Sequence, residues 1–590
     1  MQTSSFLATL LLFFPLSLGF ASPYTARDNA EVASPSSSAI TPEISALAES
    51  LIANYNVPGI NVGVVRLNGS SVMTEYGSWG NRTEDGDLAD SQMITNLGSC
   101  SKAFLTSAIG ILIDDFATGH NVTALPHGLD TLTWNTKVQA LFPGETVWKL
   151  EDKWATEKAN IADILSMATG VTSNQFVYTR DDTPVTLAQR FRYIKPGFEL
   201  REQWDYTNIF YFFAAQIVTT YSGKTFQEFV KERIFDPLNM TSSTYSAQEA
   251  NSTGHLSQSW AYVGRRIPII IEDPNTANLI AGAGGVLSNA VDMSKWAATL
   301  LNGGVDPVTN KTIIPPSAFA ETTTARVIQA GNVTEDKTVS IIGYGLGWQR
   351  NSFLGHDVIT HDGSIPGFVA SIFILPDDNL AVFALLNTDT PLQEVLPMAI
   401  ISSVLGLNTT GTSSSTTGAV SRRTLSARAT SLASNCTQSS TALEKFAGRY
   451  TSPAYGNLTF CAPTMVNVSG SSADCNSTLS DFASLGPLDP NTLYATTNRI
   501  ATHVTMQRVC AGSDDGAFIV GFQSIYPNGY GKNTTAFTEV FSGDLPETHV
   551  ECVMKGGNVT GCGWLDIEVS PLKSVGTPQE RAQIWWTKQG

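Results

Sequence analysis

Two stretches, some three hundred residues apart, narrow the folds open to this chain. "INVGVVRL" (Ile60–Leu67) is followed by Asn68-Gly69 and "SSVMTEYG", and "VASIFILPDDNLAVFALLN" (Val369–Asn387) sets two β-branched and aromatic runs around Pro376 to Asn379. Each reads as a hairpin, the first with a type I′ turn at Asn-Gly. Helical apolar spacing lies between them, over Lys102–Phe116, Ile161–Ala168, Ile209–Tyr221 and Ala290–Leu301. Strands at both ends with helices between them predict an α/β (α+β) arrangement, one antiparallel sheet flanked by helices. The two terminal segments are expected to be neighbours in that sheet.

The sheet accounts for only part of the chain. At 590 residues the protein exceeds what one core usually supports, and cysteine usage divides it. Cys100 stands alone early, whereas Cys436, Cys461, Cys475, Cys510, Cys552 and Cys562 crowd towards the end. Just before that cluster lies "NTTGTSSSTTGAVSRRTLSARATSLASN", with almost no large apolar residues to offset chain entropy. The expected organisation is a main domain over residues 41–405, a Ser/Thr-rich linker over 406–434 and a disulfide-rich all-β domain over 435–590. "RIATHVTMQRV" and "AFIVGFQSIY" carry the β reading of the last part. Six cysteines allow about fifteen pairings. The expectation is Cys461 with Cys475, Cys552 with Cys562 and Cys436 with Cys510, leaving Cys100 reduced.

Cysteines paired in this way imply an oxidising compartment. Residues 1–21 read as a signal peptide, an apolar run from Phe6 to Leu18 followed by small residues at Gly19 and Ala21, with a short leader over 22–40. Fourteen Asn-X-Ser/Thr acceptors, from Asn68 to Asn558, point the same way. No later run is long and apolar enough to span a bilayer, so a secreted, extracellular protein without a membrane partner is expected. A formal net charge of −17 excludes a nucleic-acid partner, whose phosphates need a basic face.

The chemistry concentrates in "NLGSCSKAF" (Asn96–Phe104). Ser99 and Lys102, three apart at a helix start, project from one face. A serine hydroxyl needs a base, and a lysine serves only if desolvation lowers its pKa. The following "AFLTSAIGILIDDF" is apolar nearly all round, so this helix is expected to be buried, which supplies that desolvation. Serine is also a good N-cap and S-x-x-K arises by chance, so the motif alone leaves a capped core helix open.

Two further stretches follow in order: Tyr206-Thr207-Asn208, and His361-Asp362-Gly363 ahead of Ser364. Together with "VPGINVGVV", "KPGFELREQWDYTN", "SGKTFQEFVKERIFDPLNMTSST", "AGGVLSNAVDMSKWAATLLNGG" and "GYGLGW", they resemble the serine beta-lactamase and penicillin-binding-protein superfamily, in its class C beta-lactamase-like branch. The resemblance runs from about Thr41 to Leu405. It implies Ser99 as the acylated nucleophile, Lys102 hydrogen-bonded to it and Tyr206 relaying protons. It further implies substrate-binding roles for Asn208, His361, Gly363 and Ser364, with the Ser99 and Ser364 N–H groups as the oxyanion hole. Gly363 is expected to leave room for a substrate lying along its strand. "LEKFAGRYTSPAYGNLTF" (Leu443–Phe460) resembles the first strands of a lipocalin-like barrel appended to some members, which either covers the active site or stabilises the protein.

The third motif departs from the family's Lys-Thr-Gly, because His361 replaces a permanent cation that would attract a carboxylate. "LSMATGV" (Leu165–Val171) replaces a His-Thr-Ser-Gly stretch and reads as structural. Cys100 has no histidine partner in view and is expected to be a buried thiol. No G-x-S-x-G elbow or zinc spacing is present, so neither metal nor cofactor is implied. The expected activity is a secreted serine hydrolase acting on a small ester, amide, lactone or peptide-like substrate. A transesterase of the same fold and a non-catalytic binding protein stay open.

Overall fold

The computed structural model describes residues 38–332, 338–407, 441–465, 473–509, 516–540, 548–567 and 575–590. The signal segment, most of the leader, residues 408–434, Cys436 and Cys510 fall outside them, and with these the third expected disulfide.

In chain order the first sheet contains β1 (Gly59–Asn68), β2 (Ser71–Gly80), β3 (Val327–Ala330), β4 (Ile342–Tyr344), β5 (Gln349–Phe353), β6 (His356–Ile365), β7 (Phe368–Leu375) and β8 (Leu380–Leu386). They lie in the order β2-β1-β8-β7-β6-β5-β4-β3, all antiparallel. The two hairpins do meet, with Ile60 opposite Leu386 and Arg66 opposite Leu380. The first turn differs from expectation. Asn68 still pairs with Ser71, so the loop is Gly69-Ser70, and of these only Gly69 has a positive φ, +59°. One glycine at the first central position is the type II′ pattern, since type I′ needs both residues left-handed.

β1 is buried on both faces, as its near-continuous apolar run requires. Ile60, Val62 and Val64 face α1 (Pro42–Tyr55) and α6 (Val395–Val404). Val65 and Leu67 belong to the larger helical core with α2 (Lys102–Thr118), α3 (Ile209–Ser222), α4 (Pro274–Gly284) and α5 (Ala290–Leu301). At Gly63 a side chain would strike the ring of Phe383, its partner on β8, so the missing Cβ is what admits that ring to the core. The expected helix over 161–168 ends at Leu165, because Met167 turns to φ +60°. There Met167 O accepts from Asp205 N at 3.2 Å and Ala168 O from Arg201 N at 2.7 Å. "LSMATGV" thus ties down the loop that carries Tyr206.

The second sheet is a nearly closed barrel of β9 (Gly448–Ser452), β10 (Gly456–Phe460), β11 (Thr492–Thr496), β12 (His503–Arg508), β13 (Ala517–Tyr526), β14 (Phe537–Val540), β15 (Thr548–Lys555), β16 (Asn558–Trp564) and β17 (Ile584–Lys588). Its order is β10-β9-β17-β16-β15-β13-β12-β11, with β14 also paired to β13. Cys461 and Tyr494 exchange backbone hydrogen bonds of 2.8 and 3.0 Å, joining the two ends. Disulfides link Cys461 to Cys475 and Cys552 to Cys562, while Cys100 is a free, buried thiol.

The two sheets share one core. Phe176 packs with its ring centre 5.1 Å from that of Phe522 and 5.4 Å from that of Trp564, both barrel residues. Gln583 Nε2 donates to Thr172 Oγ1 at 3.2 Å, and Lys195 Nζ to Ala582 O at 2.7 Å. Residues Ala39–Gly590 accordingly form one compact unit. No helix among the described residues is long and apolar enough to cross a membrane.

Candidate active site

Ser99 sits in a single 3-10 turn, Gly98–Ser101, that leads directly into α2. The turn is held by Asn96, whose Oδ1 accepts from Gly98 N at 2.7 Å, and by Ser101 Oγ, which accepts from Val286 N at 3.1 Å. α2 runs through the core with Lys102 to Leu112 all buried. Lys102 itself is 0% exposed.

The Lys102 ammonium position is surrounded by fixed acceptors. Nζ lies 2.9 Å from Ser99 Oγ, 2.7 Å from Asn208 Oδ1 and 3.2 Å from Ala283 O. Asn208 is the N-cap residue of α3, and Ala283 is near the end of α4. α4 approaches this closely because Gly282 faces Tyr211 O, where a Cβ would sit 2.5 Å away. Burial lowers the Lys102 pKa to about 7, against the opposing pull of the Asp362 carboxylate. The rings of Tyr206 and Tyr211 lie 4.9 and 5.2 Å from Nζ. Tyr206 OH donates to Ser99 Oγ at 2.6 Å. Lys102 Nζ and Tyr206 OH therefore both meet Ser99 Oγ, and Asn208 holds Nζ in place.

β6 brings the third motif against the nucleophile. β5 pairs only with residues 356–360, so the remainder of β6 has an open edge, and the Ser99 turn packs there. A Cβ on Gly363 would lie 2.0 Å from Leu97 O, and one on Gly98 2.6 Å from Ser364 N. The absence of a side chain at Gly363 thus permits backbone-to-backbone contact with the nucleophile turn. Ile365 and Phe368 close a two-residue turn at Pro366-Gly367. The alternation of an antiparallel ladder then directs Ser364 N–H away from β7, towards Ser99.

His361 does not line the cleft. It is 1% exposed, with Nδ1 2.5 Å from Asp362 O and Nε2 3.2 Å from Tyr344 OH. Burial holds its pKa well below the ordinary histidine value, so the ring is neutral. The expected direct contact with substrate gives way to a wall behind Tyr206, whose ring centre is 6.4 Å from that of His361. Cys100, as expected, points into the core, its Sγ donating to His361 O at 3.3 Å. Burial pushes its pKa up, which suppresses the thiolate.

The cleft also holds residues that the motifs did not reveal. Phe176, Tyr178, Phe212, Ile280 and Asp389 line it together with Ser99, Asn208 and Ser364, and Arg499, Ile500 and Ala501 reach it from the β11–β12 turn. Arg499 is 4% exposed. Its guanidinium lies 4.2 Å from the Phe176 ring centre, with Nε donating to Phe176 O at 2.7 Å and Nη2 donating to Tyr455 O. No local pattern around Arg499 signalled this, since the contact joins positions 323 residues apart.

Comparison with known proteins gives the family and the fold. A family model described as Beta-lactamase matches residues 44–402. "Unguisins hydrolase ungD'" of Aspergillus campestris is 28% identical over 341 residues, covering 57% of this chain and 59% of that protein. "Unguisins hydrolase ungD" of Aspergillus violaceofuscus is 26% identical over 365 residues with the same coverage. The chain thus spans about 59% of the length of these relatives. An octameric penicillin-binding protein homologue from Pyrococcus abyssi shares the fold over 89% of this chain and 98% of its own, with a TM-score of 0.51 and 17% identity.

Proposed function

The chain belongs to the beta-lactamase family, and we propose that it is a serine hydrolase that cleaves an ester or amide through an acyl-enzyme on Ser99. The observation that carries this reading is the convergence of Lys102 Nζ and Tyr206 OH on Ser99 Oγ, at 2.9 and 2.6 Å. With a pKa of about 7, Lys102 is substantially unprotonated at neutral pH. Its two N–H groups are then taken by Asn208 Oδ1 and Ala283 O, which leaves the lone pair for the serine proton. Ser99 Oγ attacks the carbonyl while the N–H groups of Ser99 and Ser364 stabilise the oxyanion. Tyr206 protonates the leaving group, and the same pair activates the water that releases the acid. An alcohol or amine in place of that water would give acyl transfer from the same intermediate. The neutral, buried His361 offers no cation to a substrate carboxylate, which supports neutral esters and amides over penicillins. The hydrolase names of the two Aspergillus relatives support the same class. Intact-mass and peptide analysis after treatment with a fluorophosphonate is expected to find one adduct, on Ser99; an unlabelled or elsewhere-labelled protein overturns the reading.

We further propose that the protein is secreted and N-glycosylated. Of the fourteen acceptor asparagines, the eleven among the described residues, Asn68, Asn81, Asn121, Asn239, Asn251, Asn310, Asn332, Asn457, Asn476, Asn533 and Asn558, are all exposed. Other asparagines are often buried, for example Asn61, Asn96, Asn160, Asn174, Asn289 and Asn387, so acceptor status and exposure go together. The two disulfides among the described residues agree with an oxidising compartment. Protein made in a eukaryotic secretory host is expected to lose several kilodaltons on endoglycosidase treatment, and an unchanged mass would refute the proposal.

A further inference from the structure

The cleft over Ser99 has a volume of about 200 Å³, below the roughly 300–1,000 Å³ of pockets for drug-sized ligands. An apolar cavity of about 150 Å³ accepts benzene, so this space suits one ring or one branched aliphatic chain. Much of its lining agrees in character: Phe176, Phe212 and Ile280 are buried apolar side chains, the ring of Tyr178 is buried beside them, and Ile500 lines the cleft from the barrel.

We propose that Ile500 is a specificity-determining residue, the barrel's contribution to an acyl pocket that accepts one compact apolar group beside the scissile carbonyl. The inference rests on Ser99 being the acylated nucleophile.

The turn bearing Ile500 is clamped independently of its own side chain. Thr497 N donates to Thr502 O at 2.9 Å, and Arg180 N donates to Asn498 O at 2.9 Å. Asn498 Nδ2 donates to Asp181 Oδ2 at 2.5 Å, and the Arg499 guanidinium spans the Phe176 and Tyr455 carbonyls. A change at Ile500 therefore alters the space above Ser99 while the turn stays seated. Charge points to the same ligand class. Among the described lining residues the cation is Arg499, and its guanidinium is committed to two carbonyls, so an anionic acyl group finds no ready counter-charge there.

Labelling of Ser99 by alkyl fluorophosphonates reads this directly, whatever the natural substrate. Ser99 Oγ forms the O–P bond, fluoride leaves, and the serine proton passes to Lys102. Rates are compared for methyl, isobutyl and octyl reagents on the full-length protein and on Ile500→Gly and Ile500→Trp. Opening the wall is expected to raise the octyl-to-methyl rate ratio at least tenfold in Ile500→Gly. Filling it is expected to lower the isobutyl-to-methyl ratio at least tenfold in Ile500→Trp, as a few methylenes in an apolar pocket are worth. Unchanged ratios with Ser99 still labelled overturn the role of Ile500 alone, whereas no labelling of Ser99 by any reagent overturns the nucleophile. Should Ile500→Trp lose its cooperative melt, Ile500→Val replaces it: a few-fold rise in the octyl ratio supports the pocket and no change refutes it.

Discussion

Ser99→Ala is expected to lower kcat by about four orders of magnitude or more, and Lys102→Ala nearly as far, because residues that act as one unit fail together. Ser99 lies at the cleft surface, so its replacement leaves the melting temperature nearly unchanged. Lys102→Arg separates charge from basicity, since a guanidinium stays protonated and cannot accept the serine proton. It is expected to be as inactive as the alanine variant. The pH dependence follows from the lowered Lys102 pKa of about 7. Below that value the ammonium has no lone pair, and above it the amine is free, so kcat/KM rises with pH through about 7. Substantial turnover by Ser99→Ala, or a profile flat from pH 5 to 9, would remove Lys102 and Ser99 from these roles.

The second large effect belongs to Phe176. Its ring is buried between Phe522, Trp564 and the Arg499 guanidinium, so it joins the first sheet's helical layer to the barrel. Phe176→Ala is expected to cost about 3–5 kcal/mol, the usual range for emptying a buried aromatic site. Because Phe176 also lines the cleft, activity should fall before the protein unfolds. Tyr193→Ala, an exposed aromatic at 54%, serves as the control and should melt like wild type. A chain ending at Leu405 would uncover the same apolar surface and is expected to aggregate. Equal melting temperatures for Phe176→Ala and wild type, or a soluble, cooperatively melting chain ending at Leu405, would show that the two sheets are energetically independent.

What the sequence disclosed follows the range of the forces involved. The central hairpins, α2 and α5 were legible because strand alternation and helical spacing are local, and Ala290–Leu301 matched to the residue. The desolvation of Lys102 was legible too, since an all-round apolar helix has nowhere to be but inside. The type I′ turn was misplaced by one residue because strand pairing at Asn68 outweighed the local preference of Asn-Gly. His361 was read as a cleft residue from its place in the motif, yet its orientation depends on Tyr344 and on the edge left open by β5. Least legible was the Arg499 clamp, which depends on loop packing between two sheets and leaves no periodic trace.

The strand order of the barrel sets a sequence of events during synthesis. β17, residues 584–588, sits between β9 and β16, with Tyr450 opposite Lys588 and Trp564 opposite Ile584. A ribosome that has already released Ser99, Lys102 and Tyr206 has therefore not yet supplied the strand that closes the barrel between β9 and β16. The barrel closes only after residue 588 has emerged, so the nascent chain carries a full set of reacting groups well before its second sheet is complete.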